Sequence, residues 1–220
     1  MSYKIYFAGD LFDHKDLTGN LLLAQALEKV SERRLEVMLP QNAECNAQRG
    51  CDIRNQDLKQ LFECDLLLAN FDGPDLDSGT VLEFAYAKML DLPAVLLRTD
   101  FRRCGDAASA ELSPWNLMCS GYPRSENLTL HGMLMYHEAC LCSTDALEQI
   151  KIYHEAIARR IMEKFSVVIA KKSFMQGDFE QTCQWYELAV KSIGSKFDQL
   201  MTPEKIRAIV EEKFSKGLYS

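Results

Sequence analysis

Short apolar runs alternate with longer segments of helical periodicity along the first 165 residues. The apolar runs predict strands at residues 4–8, 37–39, 65–71, 93–97 and 133–136. Segments with apolar residues at helical spacing predict helices at 17–35, 52–63, 79–90 and 146–165. Because the strands are continuous apolar runs that alternate with helices, the pattern predicts an open, parallel, five-stranded α/β sheet with helices on both faces.

Beyond the alternating region the pattern changes twice. Residues 98–120 combine polar and apolar positions without a clear period, and we expect a long loop there. From residue 166 onward the periodicity is helical throughout, and Thr202 and Pro203 mark one helix start. The chain is therefore predicted to have an α/β domain at 1–165 and a helical C-terminal extension at 166–220.

Composition and charge restrict the class of protein. The chain has 220 residues, of which 47% are hydrophobic, and its formal net charge is −7. This charge predicts neither a nucleic-acid partner nor an anionic membrane partner, and no apolar run approaches the length of a bilayer span. The eight cysteines include no C-x-x-C pair, and the N-terminus starts directly with a strand pattern rather than a signal peptide. A cytoplasmic protein with reduced thiols is expected.

Ligands of an open parallel sheet bind beyond the carboxyl ends of its strands. In this chain those ends supply residues 9–10, 40–41, 71–73 and 98–99. The helix predicted at 79–90 follows one of these ends and is apolar on nearly every face, which is typical of a buried helix. Glu83 lies in its first turns, and a buried carboxylate is costly unless it is paired or used. We therefore expect Glu83 near the rim of the ligand crevice.

Two interpretations of Glu83 follow from the local sequence. In the first, Thr80 caps the helix and Glu83 completes a capping box by reaching back to the Thr80 backbone N–H. In the second, Glu83 faces the crevice as a nucleophile or base, and Asp77 and Ser78 bind a polar ligand. Spacing alone leaves both interpretations open.

The sequence offers little support for a phosphate-binding or a metal-binding site. The sequence contains neither a G-x-G-x-x-G nor a G-x-x-x-x-G-K-[ST] motif, and the loop at 72–79 contains three aspartates that would repel a phosphate. Asp72, Asp75 and Asp77 do not have the spacing of an EF-hand. No metal site and no cofactor are predicted.

Several segments together resemble the nucleoside 2-deoxyribosyltransferase family, over about residues 3–165. They are IYFAG at 5–9 followed by Phe12, LPQ at 39–41, DIRNQD at 52–57, DSGTVLE at 77–83 and WNLM at 115–118. Each is short, but their order and spacing agree with the family. The resemblance implies a flavodoxin-like fold, oligomers with composite active sites, and nucleosides and free nucleobases as the small-molecule partners.

The resemblance also implies roles for individual residues. Glu83 matches the catalytic nucleophile, Tyr6 matches the tyrosine that orients it, and Asp77 matches the acid that holds the sugar 5′-hydroxyl. Asn116 matches an asparagine that a neighbouring subunit lends to the same hydroxyl. The remaining matches, around the base and the sugar, are Gly9, Phe12, Gln41, Asp57 and Ser78, and Asp57 is the candidate for protonating the departing base.

The predicted reaction transfers 2-deoxyribose between nucleobases through a covalent glycosyl-enzyme on Glu83. Burial among Val81, Leu82, Phe84 and Ala85 would keep this carboxylate dry. One alternative is a nucleoside 5′-monophosphate N-glycosidase, a related hydrolase, although Asp77 stands where those relatives place a phosphate-binding serine. Another is a non-catalytic nucleoside-sensing module in which the 166–220 extension is the output or assembly element.

Loop 98–120 also bears on assembly. Leu112, Pro114, Trp115, Leu117 and Met118 make an apolar cluster of the kind found at interfaces, and a lid packed within one chain is the alternative. With a composite site, the chain is predicted to form a symmetric homo-oligomer.

Overall fold

The computed structural model describes residues 2–42, 50–102, 114–175 and 177–219. Five parallel strands form one sheet in the order β2-β1-β3-β4-β5. The strands are β1 (Tyr3–Ala8), β2 (Leu35–Met38), β3 (Leu66–Asn70), β4 (Ala94–Arg98) and β5 (Ser125–Thr129). The helices are α1 (His14–Val30), α2 (Gly50–Glu63), α3 (Ser78–Met89), α4 (Gly132–Cys142), α5 (Ala146–Ile169), α6 (Phe179–Ile193), α7 (Phe197–Leu200) and α8 (Pro203–Ser215).

This strand order is the flavodoxin-like order, and it confirms the predicted fold class. Strand β1 is central: Ile5 pairs with Val37 of β2 on one side and with Leu66 of β3 on the other. The strand order reverses between β1 and β3, so the crevice at this switch point lies beside the residues that follow β1 and β3.

Alternation along β1 directs its side chains to two separate cores. Tyr6 and Ala8 face the side covered by α2, α3 and the C-terminal helices, whereas Ile5 and Phe7 face the side covered by α1 and α5. All four are buried. The hydroxyl of Tyr6 is therefore directed toward α3, the helix that carries Glu83.

The prediction of a fifth strand at 133–136 is wrong. These residues lie in α4, where the His131 side chain caps the helix by accepting a hydrogen bond from the Leu134 N–H. The fifth strand is instead β5, in which only Leu128 is buried. An edge strand with one buried side chain lacks the continuous apolar run that marks the inner strands.

The C-terminal helices pack on the same face of the sheet as Tyr6. Tyr186 of α6, Val210 of α8 and Tyr219 share one buried cluster with sheet residues such as Leu67. Helix α5 continues past residue 165 to Ile169 and packs against α1. The division into domains at 165 remains a prediction, and it falls inside this helix.

A buried polar node ties the C-terminal segment to the sheet. The Arg124 guanidinium, at the start of β5, pairs with the Asp91 carboxylate at 2.9 Å, and both side chains are almost fully buried. The Ser173 hydroxyl, also buried, donates to the same carboxylate at 2.6 Å. Such pairing offsets part of the cost of burying the two charges, although Asp91 Oδ1 and Arg124 Nε have no hydrogen-bond partner among the described residues.

Ser173→Ala is expected to lower the free energy of unfolding by about 1–3 kcal/mol, because it removes a hydrogen bond to a buried carboxylate. Chemical denaturation followed by circular dichroism measures this change. Ser215→Ala is the matched control, since that exposed hydroxyl donates a hydrogen bond of similar length, 2.7 Å, but to the main-chain carbonyl of Glu212. Equal effects of the two substitutions would show that the node does not stabilise the fold.

Among the described residues, no helix is both long enough and apolar enough to cross a membrane.

Candidate functional site

Tyr6 and Glu83 meet at the carboxyl edge of the sheet. The Tyr6 hydroxyl donates a hydrogen bond of 2.5 Å to Glu83 Oε1. Tyr6 is fully buried, and this burial, together with the negative charges of Glu83 and Asp57, raises the pKa of Tyr6 well above its ordinary value. The hydroxyl therefore stays protonated and donates to the carboxylate over the whole neutral range. This bond holds one carboxylate oxygen in a defined position.

The Glu83 side chain is only half-buried, which corrects the expectation of a carboxylate buried among Val81, Leu82, Phe84 and Ala85. Phe84 is buried, but Leu82 is 48% exposed and Ala85 is also exposed. Helix α3 therefore packs on the sheet with one face and presents apolar residues outward with another. The uniform apolarity of its sequence does not arise from burial within the single chain.

The N-cap of α3 is Asp77 rather than Thr80. Asp77 Oδ2 accepts hydrogen bonds from the Thr80 N–H at 2.6 Å and from the Thr80 hydroxyl at 3.0 Å. Asp77 Oδ1 accepts no hydrogen bond from the part of the chain that the structure describes. The proposed capping box is therefore wrong, because Thr80 is the third residue of the helix and Glu83 lies one turn further along. Glu83 instead accepts the hydrogen bond from the Tyr6 hydroxyl.

The loop that carries Asp77 is fastened to the neighbouring strand end. Asp72 accepts hydrogen bonds from the backbone N–H groups of Thr99 and Asp100, at 2.6 and 2.7 Å, and from the Thr99 hydroxyl at 2.7 Å. The buried guanidinium of Arg98 donates to the carbonyl oxygens of Phe71 and Gly73. Asp72 is thus used for structure. Within the described residues, no group of three acidic, histidine or cysteine side chains is arranged to hold a metal ion.

Asp10, the first residue after Gly9, brings a further carboxylate to the same edge. Partial burial and the surrounding carboxylates, Asp77 foremost and then Asp16 and Asp72, raise the pKa of Asp10 to about 6. The strand ends thus gather negative charge, which disfavours a phosphate there. The motifs that match the family do not single out Asp10 or the Asp72 contacts, and only their positions directly after β1 and β3 signal them.

The remaining predicted site residues are spread around the crevice. Asp57, on α2, is half-buried and close enough to Tyr6 to raise its pKa. Gln41 follows β2 and donates to the Leu17 carbonyl at 3.0 Å. Phe12 is 75% exposed. Gly9 lies against Asn70, and a side chain there would come within 3.2 Å of the Asn70 Cβ. Glycine thus permits the close approach of the two strand ends.

Ser78 and Asn116 line one cavity of about 400 Å³ beside the N-terminus of α3. Asn116 is exposed, and its side-chain oxygen accepts a hydrogen bond of 2.9 Å from the Met118 N–H, which caps a short 3₁₀ turn at Leu117–Cys119. This turn packs against α3. Asn116 therefore borders the same cavity as Ser78 of its own chain.

The apolar cluster of the same loop divides into two parts. Trp115 is fully buried against Phe71, with ring centroids 5.3 Å apart, and its indole N–H donates to the Ser120 hydroxyl. The expectation that Trp115 belongs to an interface is wrong, since it packs in the core. Leu117 and Met118 are 46% and 76% exposed. Leu112 lies outside the described residues.

Comparisons with known proteins identify one family. A family model described as nucleoside 2-deoxyribosyltransferase matches residues 5–118. A search of curated proteins finds no match.

Three solved structures are similar to parts of the chain. A conserved protein from Enterococcus faecalis V583 is 20% identical, covers 76% of this chain and 99% of its own, and has a TM-score of 0.47. The 2-deoxyribosyltransferase from Bacillus psychrosaccharolyticus is 18% identical over 46% of this chain and 77% of its own, with a TM-score of 0.41. The 2-deoxyribosyltransferase from Leishmania mexicana is 25% identical over 54% of this chain and 86% of its own, with a TM-score of 0.45.

Proposed function

The chain belongs to the nucleoside 2-deoxyribosyltransferase family, and from this premise we propose that it transfers 2-deoxyribose between nucleobases through a covalent intermediate on Glu83. The observation that carries the proposal is the hydrogen bond of 2.5 Å between the buried Tyr6 hydroxyl and Glu83 Oε1. A capping or surface glutamate has no need of a buried phenol, whereas a nucleophile benefits from a fixed orientation.

In the first half of the reaction, the Glu83 oxygen attacks C1′ of the bound deoxynucleoside. The glycosidic C–N bond breaks, the base leaves with the bonding electron pair, and an ester forms between Glu83 and the sugar. The transition state resembles an oxocarbenium ion, so a nearby carboxylate also stabilises its positive charge. In the second half, a nitrogen of another base attacks C1′, the ester bond breaks, and the carboxylate is regenerated. Two inversions give overall retention.

Proton transfer accompanies both halves of the proposed reaction. The departing base takes up a proton, and the incoming base loses one. Asp57 is the proposed acid and base because its carboxyl lies near Tyr6 on the side of the crevice formed by α2. Gln41, which follows the neighbouring strand β2, is the proposed hydrogen-bond partner of the base, and exposed Phe12 is proposed to cover it.

Asp77 is proposed to accept a hydrogen bond from the sugar 5′-hydroxyl. Its Oδ2 atom holds Thr80, while Oδ1 accepts no hydrogen bond from the described residues and is available for the sugar. Ser78 and Asn116 line the cavity next to it. Asp10 adds negative charge close to Asp77. A hydroxyl suits this environment, whereas a phosphate would be repelled.

Base exchange tests the proposed function. The protein is incubated with deoxyinosine and adenine, and chromatography measures deoxyadenosine. Deoxyadenosine is the expected product, and deoxyinosine 5′-monophosphate is expected to react at least about tenfold more slowly, because the carboxylates oppose its charge. Faster reaction of the monophosphate would contradict the role of Asp77, and nucleoside binding without turnover would identify a sensing module.

The related N-glycosidase activity is the second candidate, and exposed Ser78 at the first position of α3 favours it, since a helix N-terminus attracts anions. The N-cap carboxylate of Asp77 opposes it. The same incubation separates the two activities: a hydrolase releases free sugar at the same rate with and without adenine. A transferase forms the new nucleoside only when adenine is present.

We propose in addition that the protein assembles as a homo-oligomer. Leu82 lies on α3, next to Glu83 in the sequence, and Leu117 and Met118 lie on the 3₁₀ turn that packs against the same helix; all three are apolar and exposed. A second subunit that covers them would exclude water from the half-buried carboxylate. Exclusion of water strengthens the electrostatic stabilisation of a cationic transition state.

Tyr6→Phe is expected to lower kcat for base exchange by about tenfold to a hundredfold, because the carboxylate loses the group that orients it. Steady-state kinetics with deoxyinosine measure the change. KM should change little, since Tyr6 touches the nucleophile rather than the substrate. Tyr3→Phe, at the other end of the same strand, is the control and should keep normal kcat. An unchanged kcat for Tyr6→Phe would show that the Tyr6 hydroxyl does not orient the Glu83 carboxylate for catalysis.

A further inference from the structure

A second cavity opens at the carboxyl edge of the sheet, on the face opposite Tyr6. It has a volume of about 280 Å³ and lies between α1, α5 and the ends of β1, β3 and β4, and we call it the α1/α5 cavity. The polar and charged residues that matter for its chemistry are Asp10, Lys15, Asp16, Asn20, Asp72 and His154. Its floor is apolar, formed by side chains of the second core such as Leu23 and Ile157.

Asn20 supplies an unused acceptor to this cavity. Its side chain is 7% exposed, and its Nδ2 atom donates to the Asp10 carbonyl at 2.8 Å, which fixes the orientation of the amide. Within the described part of the chain, no group donates a hydrogen bond to the opposite atom, Oδ1. Because Asn20 lines the cavity, a ligand with N–H or O–H groups can satisfy it there.

The charges inside the α1/α5 cavity are predominantly negative. Asp10 and Asp16 present carboxylates, while the Lys15 side chain is 76% exposed and lies 3.8 Å from Asp13. His154 Nδ1 is 2.8 Å from the Ile150 carbonyl oxygen, and burial lowers the pKa of its ring, so the imidazole is neutral at pH 7. Burial first, and then the surrounding carboxylates, raise the pKa of Asp10, and a cation would offset the second of these causes.

The shape of the cavity favours an organic cation over a metal ion. No three acidic, histidine or cysteine side chains of the described residues converge as metal ligands do. The acceptors border an apolar floor, which matches a ligand with an alkyl body and N–H donors. We propose that the α1/α5 cavity binds a small alkylamine cation, whose ammonium group donates to Asn20 Oδ1 and to the carboxylates of Asp10 and Asp16.

Isothermal titration of the full chain with putrescine at low salt tests this site. We expect a Kd of about 0.1–1 mM, and 1,4-butanediol, which has the same length without charge, should bind at least about tenfold more weakly. Asp16→Asn and Asn20→Leu should each weaken putrescine binding by about fivefold or more. Asp13→Asn is the matched control, because asparagine preserves the N-cap of α1 while removing a nearby charge outside the cavity; it should change the Kd by less than about twofold.

Three results would overturn the proposal. They are no binding of putrescine up to about 10 mM, equal binding of the diol, and equal weakening by Asp13→Asn and Asp16→Asn. If Asn20→Leu does not fold, Asp16→Asn alone tests the site. This variant should fold, because Asp16 is half-exposed on the first turn of α1. Glu83→Gln should bind putrescine like the unaltered protein. This last measurement keeps the outcome independent of whether the protein transfers deoxyribose.

Discussion

Glu83→Gln is expected to lower turnover in base exchange by roughly a thousandfold or more, because the covalent route loses its attacking group. The amide has the same shape as the carboxylate but is a poor nucleophile and carries no charge to stabilise an oxocarbenium-like transition state. The fold should survive, since Glu83 is half-buried and a neutral amide is easier to bury than a charge. The amide oxygen can still accept the hydrogen bond from Tyr6.

The measurement is the rate of deoxyadenosine formation from deoxyinosine and adenine, with thermal unfolding recorded on the same samples. Glu163→Gln on exposed α5 surface is the control and should leave both the rate and the stability unchanged. A mass increase of the unaltered protein by one deoxyribosyl group, absent in Glu83→Gln, would support the covalent intermediate. Near-normal exchange by Glu83→Gln would assign the reaction to another group.

The sequence allowed the central part of the site to be predicted because its geometry follows from simple periodicities. A strand places alternate residues on opposite faces, so Tyr6 had to share a face with either α1 or α3. A parallel sheet brings the ends of β1 and β3 together at one edge. The resemblance to the family then paired Tyr6 with Glu83, and their hydrogen bond agrees with that pairing.

Local competition between side chains was less predictable. Asp77 and Thr80 are both good N-cap residues, and the choice between them depends on where the chain enters the helix. Arg98 and Asp72, which fasten the preceding loop to the end of β4, contribute to that entry direction. Such contacts join residues more than twenty positions apart, and no local motif reveals them.

The exposure of individual apolar residues also could not be predicted from the sequence. Helix α4 has an apolar stretch that resembles a buried strand, yet Leu134 and Tyr136 are exposed on it. Helix α3 is similar, with exposed Leu82 near the proposed nucleophile. Hydrophobicity alone does not distinguish burial in the core from burial against a second molecule. The predicted oligomer is one physical explanation of the apolar surface near Glu83.

Complementation between two inactive variants tests whether that oligomer builds composite sites. Asn116→Ala and Glu83→Ala should each be nearly inactive alone. If a neighbouring subunit supplies Asn116, mixed oligomers contain sites in which one chain contributes an intact Glu83 and the other an intact Asn116. Random exchange in a dimer would restore about a quarter of the sites, because half of the dimers are mixed and each has one intact site.

The alternative is that Asn116 acts in the site of its own subunit, because it lines a cavity together with Ser78 of its own chain. If Asn116 acts within its own subunit, every mixed oligomer carries one defect in each site and the mixture stays inactive. Differently tagged variants, co-purified after refolding together, verify that subunits have exchanged before base exchange is measured. Recovered activity requires a partner's Asn116 at the site of Glu83. A fully active monomer, or an exchanged mixture without activity, would place the asparagine and the nucleophile in one chain.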